Sequence, residues 1–277
     1  MAKKPSSVFQ EASVEHTESS TTPEATKAWY DDIDTEKTVD SRSSSPLVDI
    51  KKLKSKAQKL YELDCKERSE SRGMSKSDLE WFREVTSRGT TKDKIAAYAM
   101  AVQEGSFYSI PHLESLLNLA KSTNKHESFP AVEGLKDAIV GNDLLPKHRK
   151  LYYFHQRPFT NLSDSSLQKW HFEDRLKGIL FELLKCIEKL LQENVEYVRE
   201  RSCRWLFEIT MACPFEQTQN TLALISNKLG DPDKKLSSRI IFYLEEIVKA
   251  HPSLMDAVID SVQAVLARPG VPERAQY

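Results

Sequence analysis

The 277-residue chain has no apolar run approaching the roughly 18 residues of a membrane-spanning helix, and its N-terminus, MAKKPSSVFQEASVEH, lacks the apolar core of a secretory signal. The expectation is an intracellular protein. Cysteine is scarce: Cys65, Cys186, Cys203 and Cys213 form no C-x-x-C pair, and a reducing compartment would keep them as thiols. The eight glycines are scattered, with no G-x-G phosphate loop and no G-x-S-x-G elbow. His148, His155 and His171 have no cysteine or carboxylate at zinc-ligand spacing. These absences argue against an enzyme and against a metal, a cofactor or a small-molecule substrate. A hydrolase built on His155, His171 and Asp174 ranks far behind the other readings.

The near-zero net charge hides a split. Residues 1–50 carry a balance of −5 and residues 51–76 one of +5. Ser/Thr/Glu-rich sequence with few aliphatics cannot offset the entropy of ordering its backbone, so residues 1–76 are expected to be a disordered leader, acidic and then basic. Within it, AWYDDID (residues 28–34) has the composition of a short docking segment, although chance is the safer reading. Lys51, Lys52, Lys54, Lys56 and Lys59, interleaved with Leu53, Leu60 and Leu63, suggest a short basic helix. It reads equally as an RNA or nuclear-import patch and as a solvated linker.

From Ser77 the texture changes to helical periodicity. Leu79, Trp81, Phe82 and Val85 share one segment; Ile95, Tyr98, Ala99 and Val102 follow threonine caps; Leu113, Leu116, Leu117 and Ala120 follow a proline start. Phe129, Val132, Leu135 and Ile139 mark another helix. A long one over about 166–192 carries Phe172, Leu176, Ile179, Leu180, Leu183, Leu184, Ile187 and Leu191. No strand alternation competes. The aromatic run from Tyr152 to Phe159 reads better as a core plug than as a base-stacking platform.

Shifting the chain by 38 residues superposes Leu184 on Leu222, Ile187 on Ile225, Leu191 on Leu229, Trp205 on Tyr243, Leu206 on Leu244, Ile209 on Ile247 and Pro214 on Pro252. A unit of that length, made of helix, acidic turn and helix, has the period of HEAT and armadillo repeats. The predicted fold is therefore an all-α, HEAT/armadillo-like α-solenoid over residues 77–277. In LGDPDKKLSS the residues read as punctuation: Gly230 stopping one helix, Asp231 capping the next and Pro232 at its first position. Arg199 is expected to reach across the junction to Asp231 or Asp233, one rung of a charged ladder.

The segments SDLEWFREVTSRGTTKDKIAAYAMAVQEGSFYSIPHLESLLNLA, LLPKHRKLYYFHQRPF and LISNKLGDPDKK, with the ending RPGVPERAQY, resemble the N-terminal helical region of the CCAAT-binding-factor family, whose members are also called nucleolar complex-associated proteins. The resemblance covers about residues 77–277 and lacks the family's larger C-terminal portion. It implies a non-enzymatic scaffold in ribosome biogenesis, in the nucleus and nucleolus. Its partners would be a nucleolar complex protein and the large-subunit precursor particle, with rRNA a further candidate. The alternatives are a CCAAT-type nucleic-acid-binding transcription regulator and a truncated paralogue of reduced function. Gly105, Gly134 and Gly178, which replace better helix or turn formers, would fit relaxed constraint in such a paralogue.

Overall fold

A computed structural model of the chain describes residues 29–30, 49–71, 76–157 and 163–270. They form ten α-helices: α1 (Ile50–Ser71), α2 (Lys76–Arg88), α3 (Thr91–Glu104), α4 (Ile110–Ala120), α5 (Lys125–Gly141), α6 (Asp164–Leu191), α7 (Glu196–Ala212), α8 (Thr218–Ser226), α9 (Lys234–Ala250) and α10 (Met255–Leu266). No strand occurs among the described residues, so the fold is all-α as the periodicity predicts. Local chemistry sets the starts. Thr90 and Asp93 close a reciprocal capping box on α3, Asn124 caps α5 and Ser163 caps α6, each satisfying N–H groups that the first helical turn leaves orphaned.

Helix α6 is the centre of the packing. All eight of its predicted apolar residues are buried, and it contacts α1, α4, α5 and α7. Along the chain α3 packs on α5, α5 on α7 and α7 on α9, while α4 packs on α6 and α8 on α10. From α2 to α8 each helix also touches the next, as α9 does α10, and one continuous core runs from Tyr61 to Val258. The 38-residue register holds in burial: Leu184, Ile187, Leu191, Trp205, Leu206 and Ile209 are all buried, as are Leu222, Ile225, Leu229, Tyr243, Leu244 and Ile247.

The packed unit does not begin at Ser77. Helix α1 lies against α6 because Ala57 and Tyr61 fall on one face, with the partly buried Leu53 and Leu60 beside them; the exposed Leu63 does not belong to that stripe. Polar contacts fix the docking. The Tyr61 hydroxyl donates to the Phe107 carbonyl at 2.7 Å, and the Gln168 amide donates to the Leu60 carbonyl at 3.2 Å. Trp29 docks as well: its indole N–H donates to the Leu144 carbonyl at 3.0 Å, and its ring meets Phe172 edge-on at 4.9 Å. Of the expected disordered leader, residues 1–28, 31–48 and 72–75 lie outside the described residues.

The glycines divide. Gly105 ends α3 at φ −152°, its N–H bonded to the Val102 carbonyl. Gly134 on α5 faces Ile95 so closely that any Cβ there would collide with the branched Ile95 methyl, so this glycine is demanded by α3–α5 packing and does not signal relaxed constraint. Gly178 has open space where a Cβ would stand, so nothing in the packing requires it.

Two expectations follow. Gly178→Ala should raise stability by about 1 kcal/mol through helix propensity, whereas Gly134→Ala should lower it, as read from urea unfolding midpoints. Leu206→Ala and Leu244→Ala should each cost about 2–5 kcal/mol; a loss below about 1 kcal/mol at either site would contradict its place in the core.

Candidate functional site

The turns between paired helices carry the strongest directed contacts. Arg199, in the first turn of α7, donates through Nε and Nη2 to the two carboxylate oxygens of Asp231, both at 3.0 Å. Its Nη1 donates to the carbonyls of Glu193 and Asn194, at 3.0 and 2.8 Å. One guanidinium thereby ties the α6–α7 turn to the α8–α9 turn. The pair is largely buried: the side chains retain 13% and 2% of their accessible surface. Asp233 plays a different part. It is the N-cap of α9, accepting from the Lys235 and Leu236 amides at 3.0 and 3.1 Å, so the predicted cap at Asp231 is displaced by two residues. Pro232 consequently precedes the cap instead of opening the helix. Gly230 is not left-handed either; among described glycines only Gly270 has positive φ.

Successive helices are joined face to face by further ion pairs. Glu133 of α5 receives Arg201 of α7, Lys136 of α5 donates to Glu208 of α7 at 2.5 Å, and Glu200 of α7 receives Arg239 of α9. Burial pushes the Glu208 carboxyl up, yet hydrogen bonds from Lys136 and Arg204 outweigh it and hold the group below its ordinary value of 4.5. On the same side the Phe207 and Tyr243 rings stack at 4.5 Å, bridging α7 and α9.

Sequence reasoning missed a second group of charges. Glu173 on α6 is fully buried and accepts from Arg149 at 2.5 Å, from Arg157, and from the Tyr152 amide at 2.9 Å. Four residues on, Lys177 donates at 2.8 Å both to the Leu151 carbonyl and to Glu216, which in turn accepts the Leu151 amide at 2.7 Å. Asp174 accepts the Phe154 amide at 3.1 Å. These residues hold the crossing segment 149–157 to α6. The only sequence signal was three ionisable residues amid apolar positions of one helix. Phe154 and Trp170 pack edge to face and are buried, as a plug requires, while residues 158–162 lie outside the described residues.

Two of the five lysines singled out on α1 are tied to α6. Lys54 pairs with Asp174 at 2.6 Å, Lys56 with Asp164 at 2.7 Å and Lys52 with Asp49 at 3.4 Å, while Lys51 and Lys59 are exposed. The segment is therefore a docked helix with a basic outer face and not a free linker. Asp174, occupied by Lys54 and the Phe154 amide, is not placed as a catalytic carboxylate; His171 is buried against Tyr61, and His155 stacks on Tyr153. Among the described residues no cluster of His, Cys, Asp and Glu could hold a metal ion. Between α1, α2, α3 and α4 lies an apolar groove of about 600 Å³ that includes Trp81, Phe82 and Met100.

No protein-family model matches the chain. Curated relatives do. The chain is 29% identical to human CCAAT/enhancer-binding protein zeta over 82% of its own length and 23% of that protein's. It is 30% identical to the Ribosome biogenesis protein NOC1 of Chaetomium thermophilum over 82% of its length and 24% of the relative's, and 30% identical to Nucleolar complex protein 1 of Drosophila melanogaster over 73% and 18%. Over most of its length the chain is similar to proteins of the CCAAT-binding/Noc1 family. It spans about a quarter or less of the length of these family members. An engineered protein of solved structure aligns at 16% identity over 73% of this chain and 94% of its own with a TM-score of 0.30, which carries no argument about the fold.

Arg199→Ala should cost about 3–5 kcal/mol, since it leaves Asp231 buried without its principal partner; a double-mutant cycle with Asp231→Asn measures the coupling. For Glu208 the folded-state value is depressed. Its contribution is therefore present above about pH 4.5 and is lost as the pH falls below that value. Glu208→Gln should flatten this acid limb of the urea-midpoint profile, and an unchanged limb would reject the assignment.

Proposed function

We propose that the chain is a non-enzymatic scaffold that holds protein factors within nucleolar precursors of the large ribosomal subunit. The observation carrying this reading is the similarity, over 82% and 73% of the chain, to proteins named for ribosome biogenesis and for a nucleolar complex. Several features support a HEAT-like α-solenoid as the form of the scaffold. These are the 38-residue register, the row of contacts through α3, α5, α7 and α9, and the Arg199–Asp231 link between successive turns. Such a stack offers long, rigid faces, and its worth lies in surface area more than in a pocket.

The competing reading, a DNA-binding transcription regulator, is supported by the CCAAT name of a relative. It is weakened by the commitment of Lys54 and Lys56 to ion pairs with α6. Affinity purification of the tagged chain is expected to recover large-subunit precursors and nucleolar proteins; their absence would overturn the scaffold. The nuclear and nucleolar location is tested separately with a fluorescent fusion carrying Lys51→Gln and Lys59→Gln, which leave the α1–α6 ion pairs intact. A shift toward the cytoplasm would give the import role to α1, and an unchanged signal would remove it.

A further inference from the structure

We propose that the outer side of α9 and α10 is a self-association surface: two copies of the chain meet there about a two-fold axis, with α10 of one lying antiparallel on α10 of the other. This inference goes beyond the scaffold reading and does not depend on it. Each of the two helices is packed chiefly on one side. Helix α9 meets α7 through the Phe207–Tyr243 stack, and α10 meets α8, where the Ser226 and Ser261 hydroxyls lie 2.8 Å apart. On the side of α10 turned from Ser261, Met255, Ile259, Val262 and Leu266 stand at i, i+4, i+7 and i+11, one apolar stripe over three turns. Met255, Ile259 and Leu266 are 49%, 45% and 41% exposed, so the chain's own core does not account for them. Ile241 adds a fourth exposed apolar side chain, on the side of α9 turned from Tyr243.

The spacing of the stripe, four then three then four, is that of a two-helix seam and reads the same in both directions. In an antiparallel pair Met255 therefore meets Leu266 of the second copy, and Ile259 meets Val262, so each member of the stripe has an apolar partner. Charge decides the direction. Asp256 stands at the N-terminal end of the stripe and Arg268 just past its C-terminal end, and among the described residues neither side chain has a partner. Parallel packing would set Asp256 against Asp256 and Arg268 against Arg268. Antiparallel packing brings each aspartate within reach of the other copy's arginine and sets the positive end of one helix dipole beside the negative end of the other. An acidic or a basic partner would satisfy one end of the stripe, whereas a second copy satisfies both and closes the pair, as isologous contacts do. A seam of three turns buries less than about 1,200 Å² in total, the range of weak pairs, so a dissociation constant on the order of micromolar is expected.

Sedimentation equilibrium of the full chain at about 1 to 200 µM tests this, spanning a micromolar constant. The mass should rise from 31.7 kDa toward twice that value. Ile259→Lys should weaken the dimer about tenfold or more. Leu63→Lys, at an exposed apolar residue of α1, should leave it unchanged. Asp256→Arg and Arg268→Glu should each weaken it about five- to tenfold at low salt, and an equimolar mixture of the two should regain the wild-type mass, because the mixed pair joins unlike charges at both ends. Circular dichroism checks that every variant stays folded. A chain that stays monomeric across the range would overturn the proposal, as would a dimer indifferent to Ile259→Lys or a mixture no tighter than either charge variant alone. Loss of nucleolar proteins from the Ile259→Lys purification, with wild type monomeric, would overturn it too and give the stripe to another protein. A dimer that recovers no large-subunit precursors would overturn the scaffold and leave this inference standing.

Discussion

Three ionisable residues in the middle of α6 set the constraint on which the surrounding packing depends. Glu173, Asp174 and Lys177 face inward, and an unpaired charge there would cost several kcal/mol, so the chain must bring them partners. Segment 149–157 does so with two arginines, two main-chain amides and the Leu151 carbonyl, and Glu216 completes the set from beyond α7. Once that segment is fixed, Phe154 seats beside Trp170, and Lys54 closes the remaining side of Asp174 from α1. The docking of the first helix is thus a consequence of charges buried more than a hundred residues later.

The apolar skeleton was legible because it depends on period alone. The residues predicted for α6 and for the 38-residue register are buried, since amphipathic spacing and packing ask for the same side chains. The helices with weak stripes were harder to read. Trp81 stands half exposed although it lies in the predicted apolar set of α2, because among the described residues that helix packs chiefly on α3. The lysines of α1 leave its sequence readable equally as a basic patch and as a solvated linker, while the residues that dock it, Ala57 and Tyr61, are a small side chain and a polar aromatic.

The turn residues show a different limit. Asp231 and Asp233 are chemically the same in sequence, both able to cap a helix and both able to meet an arginine. Only the path of the chain decides that Asp233 caps α9 and that Asp231 turns inward to Arg199. Gly134 makes the same point: composition reads a helix-interior glycine as a defect, and only the approach of Ile95 from α3 makes it a requirement.

The two ends of the α7–α9 pair are fastened unequally. At the turn end a buried guanidinium grips a carboxylate with two bonds and two carbonyls besides, whereas at the far end the link is one ring nitrogen of His251 against the Met211 carbonyl at 3.2 Å. The surface ion pairs between these ends are exposed enough to contribute little. The directed polar fastening of this pair is thus concentrated at the turn, and away from it the two helices are held by apolar side chains, with Phe207 stacked on Tyr243 and Ile209 and Ile247 buried in one core.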